Sequence, residues 1–328
     1  MYEYIIIVKN NYGDNMKIRL GYACISKTLN NITTSSPFTY TEFLKNKNYI
    51  KLDKIIISNL IDLKRILIYN VKNNIHFFRV SSKLIPLATK EDVIFNYYAK
   101  YQKYYNEIAQ IISNNNLRID FHPDEFCVLN STKQDVVNSS IKILKYHYNL
   151  LRYFKINNKL LVLHIGSSAF GKNNSMKRFI NNFKKLPNYL KDVIAIENDD
   201  KVFNIIDCIN ISKEIKCPII FDYHHYICNN NGEKIENFFS DVLNSWKNKT
   251  PKIHFSSPKS KLKKEFRSHN DYIDSNSFIY FIDKIINYNK DIDIMIEAKK
   301  TDEAMFKLIR ELKYKTNYKF IDETSFIS

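Results

Sequence analysis

Six side chains able to bind cations or move protons occupy equivalent places in this sequence. His122, His164, Glu197, Asp222, His254 and Glu297 each stand at or just beyond the C-terminal end of a short β-branched or apolar run. Brought to one place, they form a mixed imidazole and carboxylate set whose burial is costly without a counter-charge, and divalent cations are the simplest compensation. The set has no thiolate, so it suits Mn²⁺, Zn²⁺, Fe²⁺ or Co²⁺ better than thiolate-preferring ions, with Mg²⁺ and Ca²⁺ less suited. Several carboxylates allow bridging, hence a cluster of more than one ion. A lone strand-end His or acid is ordinarily just hydrogen-bonded; six in register reverse that reading.

Other groups sort around this set. His225 follows Asp222 by three residues and His269 lies in a basic loop, so both could reach a neighbouring ion, while His224 reads as a supporting residue. His76 opens a strand and His147 lies within a helical stretch, and both read as structural. The segment SSPKSKLKKEFR (256–267) carries Lys259, Lys261, Lys263, Lys264 and Arg267 next to the same strand ends, where they could contact phosphates. A basic rim, several metals and no obvious nucleophile point to phosphodiester hydrolysis.

The elements that must position these residues alternate. Runs at 17–23, 75–81, 117–121, 159–165, 193–198, 218–223, 252–257 and 293–298 read as strands, separated by helical patterns at 51–73, 91–115, 133–156, 175–190, 201–216, 233–248, 275–289 and 301–313. Strict alternation predicts an α/β fold, a single (β/α)₈ TIM barrel, whose active face lies at the strand C-terminal ends. No G-x-G-x-x-G follows the first strand, which argues against a Rossmann domain and a nucleotide cofactor. We expect one domain over 17–328 and an N-terminal extension at 1–16 that is dispensable, or Met16 as the start.

Composition sets outer limits. The 328 residues carry 50 Lys and Arg against 34 Asp and Glu, a net charge of +16 that favours a polyanionic partner, although the wealth of Lys, Asn, Ile and Tyr also fits an AT-rich coding bias. Five cysteines without a C-x-x-C pair read as free thiols. No apolar run is long enough for a membrane span, and the start lacks signal-peptide features, so an intracellular monomer is expected.

The ordered motifs resemble the UV-damage endonucleases from Lys17 to about Arg310. They are Arg19-Leu20-Gly21-Tyr22, Phe78-Arg79-Val80-Ser81-Ser82, His122-Pro123 with Phe126, Leu163-His164-Ile165-Gly166, Glu197-Asn198-Asp199-Asp200, Asp222 with His224-His225, Lys252-Ile253-His254 with Ser256-Ser257, His269, and Glu297-Ala298-Lys299. The resemblance implies a barrel related to apurinic endonucleases, with a cluster of two or three divalent ions, Mn²⁺ foremost and Zn²⁺, Co²⁺ or Mg²⁺ as alternatives. It implies nicking of duplex DNA 5′ to ultraviolet photoproducts, leaving a 3′-hydroxyl. His122, His164, Glu197, Asp222, His225, His254, His269 and Glu297 would ligate the metals, and Glu197 would bridge two of them. Glu197, Lys252, His254 and Glu297 would serve the chemistry, Lys252 in a carboxylated form, while Tyr22, Glu125 and Phe126 would lie near the lesion.

Two departures stand out. Lys90 occupies the place of a family His after strand 2; a protonated lysine cannot ligate a cation but can contact phosphate. Asp124-Glu125 replaces the family's Gly-Gln. An apurinic endonuclease, a damaged-DNA-binding pseudoenzyme and a metal-dependent sugar isomerase are the rival readings.

Overall fold

The computed structural model describes residues 16–328. The expected extension, apart from Met16, lies outside the described residues. Met16 itself is buried and its carbonyl accepts from the Ser328 N–H at 3.2 Å, so it belongs to the fold.

Eight parallel strands form the barrel: β1 (Lys17–Ala23), β2 (Phe77–Val80), β3 (Arg118–Phe121), β4 (Leu161–His164), β5 (Ile194–Glu197), β6 (Ile219–Asp222), β7 (Lys252–Phe255) and β8 (Ile292–Ile296). They pair in sequence order, and β1 pairs with both β2 and β8, which closes the ring. Strands covered on both faces read as nearly continuous apolar runs, as β4, β5, β6 and β8 do. A C-terminal hairpin, β9 (Lys319–Phe320) and β10 (Ser325–Ile327), adds antiparallel to the first half of β1, with Ile327 opposite Lys17.

Eight long helices cover the barrel: α1 (Tyr49–Lys72), α2 (Gln102–Asn114), α3 (Gln134–Tyr153), α4 (Lys172–Lys184), α5 (Ile205–Ile215), α6 (Ile235–Ser245), α7 (Ser275–Ile285) and α8 (Thr301–Lys315). In α1 the buried Leu52, Ile56, Leu60, Leu63 and Leu67 recur every three or four residues and form the core-facing stripe. The helix expected at 91–115 is shorter. Asn96 caps a single turn, Tyr97–Lys100, and Tyr101 departs from helical geometry before α2 begins. The helix expected at 175–190 stops at Lys184, because Pro187 lacks the N–H to continue it, and resumes as the turn Asn188–Lys191.

The barrel interior is layered. At the base, Arg19 Nε and Arg118 Nη1 both hold Asp293, each at 2.6 Å, and Trp246 lies beneath the Arg118 guanidinium. Above it, Leu160, Val162, Ala195 and Ile220 pack with Trp246 on one side. On the other side, the fully buried Lys252 Nζ and Asp120 Oδ2 pair at 2.6 Å. Gly21 is required by close packing here, since a Cβ would come within 2.5 Å of the Phe77 carbonyl oxygen. The top layer is the candidate site.

Candidate metal centre

The register sets the site. His164 on β4 stands beside Glu197 on β5, and Asp222 on β6 beside His254 on β7, all at the last residues of their strands or one position earlier. Glu197 is the hub and is almost completely buried. Its Oε2 lies 2.8 Å from His122 Nε2 and 3.5 Å from His164 Nε2; its Oε1 lies 2.6 Å from His254 Nδ1 and 3.8 Å from His225 Nδ1. Burial alone would raise this carboxyl, but His254, His164 and His122 outweigh it and hold Glu197 well below the usual carboxylate range.

The donor atoms fit cations. His122 Nδ1 donates to the Pro123 carbonyl at 2.9 Å, which leaves the Nε2 lone pair facing Glu197 Oε2; two acceptors so close call for a positive charge between them. His225 Nδ1 donates in the same way to the Asn198 carbonyl at 2.9 Å. Asp222 Oδ1 accepts from the His225 N–H and so caps the short helix Tyr223–Cys228, whereas its buried Oδ2 has no hydrogen-bond partner. Buried His164 Nδ1 also lacks one. Burial, with Glu197 and Glu297 nearby, pushes Asp222 up to about 7 against the pull of His225, a sign of unbalanced negative charge. Burial pulls His254 down to about 4, leaving a neutral imidazole. Donor atoms of His122, His164 and Glu197 form one group within 4.8 Å of one another, and those of Glu197, Asp222 and His254 form a second, so Glu197 belongs to both.

Not every expected ligand joins these groups. Glu297 Oε1 pairs with Arg79 Nη1 at 2.7 Å and lies 3.3 Å from His254 Nδ1. His269 stands at the rim, its ring 6.4 Å from that of His225. His224 Nε2 donates to the Phe266 carbonyl at 2.9 Å and ties the short helix to the basic loop.

The basic loop remains beside the mouth, with Lys261, Lys263 and Lys264 exposed; Lys259 pairs with Glu265 at 2.8 Å, and exposed Arg267 lies 3.7 Å from Asp200. Glu125 is exposed and Phe126 is 70% exposed, at the edge of a cavity of about 410 Å³ that Phe38, Ile85, Pro86 and Tyr146 also line. Lys90 lines that cavity too, its ammonium 4.9 Å from the Tyr40 ring, outside the imidazole cluster. Tyr22 corrects the reading: side chains alternate along β1, and Tyr22 points outward against α1, fully buried, with its hydroxyl donating to Asn70 Oδ1 at 2.7 Å.

Arg79 is the residue that spacing alone missed. Its Nη2 donates to His254 Nε2 at 2.7 Å while Nη1 holds Glu297. Burial opposes its charge, but Glu297, Asp120 and Glu197 keep it protonated. The available signal was an arginine inside an otherwise apolar four-residue strand. All five cysteines are free, as expected.

Residues 18–325 match the family described as UV-endonuclease UvdE. The chain belongs to that family. Among its relatives, the UV DNA damage endonuclease of Bacillus cereus (strain B4264) is 35% identical over 303 residues, covering 90% of this chain and 95% of the relative. That of Bacillus mycoides (strain KBAB4) is 36% identical over the same length. The crystal structure of SacUVDE superposes with a TM-score of 0.82 at 35% identity, covering 90% of this chain and 98% of that one. Endonuclease IV from Thermus thermophilus, at 9% identity and a TM-score of 0.56, covers 90% of this chain and 98% of its own and shares the fold.

Proposed function

We propose that this chain is a metal-dependent DNA-repair endonuclease that nicks duplex DNA 5′ to ultraviolet photoproducts and leaves a 3′-hydroxyl. The observation that carries the reading is Glu197, buried at the barrel mouth among four imidazoles in a member of the UvdE family. His122, His164, Glu197, Asp222, His225 and His254 would hold the ions, with His269 and Glu297 completing the set and Mn²⁺ the proposed ion. Divalent cations there would supply Lewis-acid stabilisation of the phosphodiester and of the leaving oxygen.

The protein's own groups do the rest. Arg79 fixes His254 and Glu297, and the Pro123 and Asn198 carbonyls orient His122 and His225. Lys261, Lys263 and Lys264 would track the phosphate backbone, with Lys90, Lys259 and Arg267 at its edges. Phe126 would stack against the distorted base pair; photoproducts pair poorly, which lowers the cost of opening the duplex. No helix among the described residues is long and apolar enough to cross a membrane, and a genome-repair role places the protein inside the cell.

Ultraviolet-irradiated plasmid, incubated with Mn²⁺, Mg²⁺, Zn²⁺ or EDTA, tests this directly. Nicking with Mn²⁺ that is lost in EDTA and in Glu197→Gln is expected. Intact plasmid under every metal would sink the enzymatic reading, and cutting of abasic but not irradiated DNA would move it to an apurinic endonuclease.

A further inference from the structure

A cavity of about 530 Å³ opens at the opposite end of the barrel from the imidazole cluster. Its lining comes from the starts of the strands and the loops before them, including Arg19, Arg118, Lys155, Lys159 and Lys249. At the floor, Arg19 and Arg118 share the carboxylate of Asp293, and Asp291 and Asp322 also act on Arg19. At the wall, none of the Lys155, Lys159 and Lys249 ammonium groups has an ion-pair partner among the described residues, and Asp192 is the one acid in the lining. Among the residues that line the concavity, five cations therefore face one acid. Barrel interiors are ordinarily closed by branched apolar side chains. This base adds to such side chains a set of mutually repelling cations, which an anion would relieve.

We propose that the basal cavity binds a small phosphate-bearing anion of nucleotide size, with two or more negative charges. The volume falls within the roughly 300–1,000 Å³ of small-molecule sites. Guanidiniums and ammoniums together suit phosphate oxygens, Arg in a planar fork and Lys as a movable point charge. The amides of Asn116, Asn157, Asn158 and Asn248 line the same cavity and offer both donors and acceptors to the uncharged part of such a ligand. Trp246 closes the floor under Arg118, ring and guanidinium 5.4 Å apart, which places the chain's one tryptophan as a reporter of occupancy. At about 530 Å³ the cavity is too small to admit a duplex, and duplex DNA at the mouth would lie at the far end of the barrel.

The test is calorimetric titration of the full chain with ADP and with pyrophosphate, followed also by Trp246 fluorescence, with a short single-stranded oligonucleotide as the other phosphate source. The triple variant Lys155→Asn, Lys159→Gln, Lys249→Gln removes the basal lysines; Lys155 sits at a φ of 55°, which Asn tolerates. The control is Lys261→Gln, Lys263→Gln, Lys264→Gln at the mouth. Saturable one-to-one binding of ADP is expected, weakened about tenfold in the basal variant and unchanged in the control, from several exposed charge contacts of modest strength. Nicking of irradiated plasmid should be the same in the basal variant and the wild type. The proposal is overturned by three results: no saturable binding of either small probe at millimolar concentration, loss in the mouth variant instead, or dependence on the basal lysines for the oligonucleotide alone.

Discussion

Acidification should destabilise this protein through one buried helix histidine that is not among the expected metal ligands. His147 lies on α3, 2% exposed, its Nδ1 donating to the Ile143 carbonyl at 2.9 Å while its Nε2 has no partner. Burial pulls it from 6.5 down to about 4. The unfolded chain therefore binds more protons than the folded one between those values, so stability present above pH 6.5 is lost as the pH falls toward 4. The full span, at ~1.4 kcal/mol per pH unit, is roughly 3 kcal/mol, of which about 2 kcal/mol is lost by pH 5. Urea denaturation at pH 7 and pH 5, with metal chelated and Trp246 fluorescence as the probe, measures it. His147→Leu provides the reference, because every other group titrates alike in both proteins. The variant should lose some stability at pH 7, through the missing hydrogen bond, yet lose about 2 kcal/mol less than the wild type between pH 7 and pH 5. Parallel losses in the two proteins, within about 0.5 kcal/mol, would refute the claim that His147 is held neutral by burial.

Phe126→Ala should leave stability within about 0.5 kcal/mol, since the ring is exposed, but reduce the preference for irradiated over undamaged duplex roughly tenfold in competition nicking; unchanged preference removes Phe126 from lesion recognition. Replacing Lys261, Lys263 and Lys264 by Gln should flatten the dependence of log affinity on log salt by about 0.9 for each phosphate that is no longer neutralised, read by fluorescence anisotropy with duplex DNA. An unaltered slope would mean that this loop does not meet the backbone. Lys252 is pulled down to about 8, chiefly by burial, so roughly a tenth of it is free amine at neutral pH and able to take up CO₂ as a carbamate with release of a proton. A native mass spectrum should carry the added mass of one CO₂, lost in Lys252→Met; its absence at neutral pH under bicarbonate counts against the modification.

How much of this was legible in the sequence depends on the range of the interaction. Eight strands and their helices could be read because periodicity is local: β4, β5, β6 and β8 are largely apolar runs, and α1 shows its stripe at every third or fourth residue. The break at Pro187 was passed over in expecting one helix over 175–190, although a proline acts on its own turn. That the last residues of β4 to β7 share one mouth follows from a parallel barrel, so the core of the ligand set was legible before any coordinates.

What only the tertiary structure decided is which of those side chains meet. Closing the ring turned Tyr22 outward onto Asn70, brought Arg79 of β2 across the barrel to His254 of β7, and paired Lys252 with Asp120 from β3. It also kept Lys90 at the rim over Tyr40 and gathered unpaired cations at the base. These contacts join residues far apart in the chain, and they are set by barrel stagger and side-chain length, to which no local period is sensitive. The sequence by itself determined the elements and the chemistry available at their ends; the closed barrel determined the partners, because burial leaves each charge to find one across the ring.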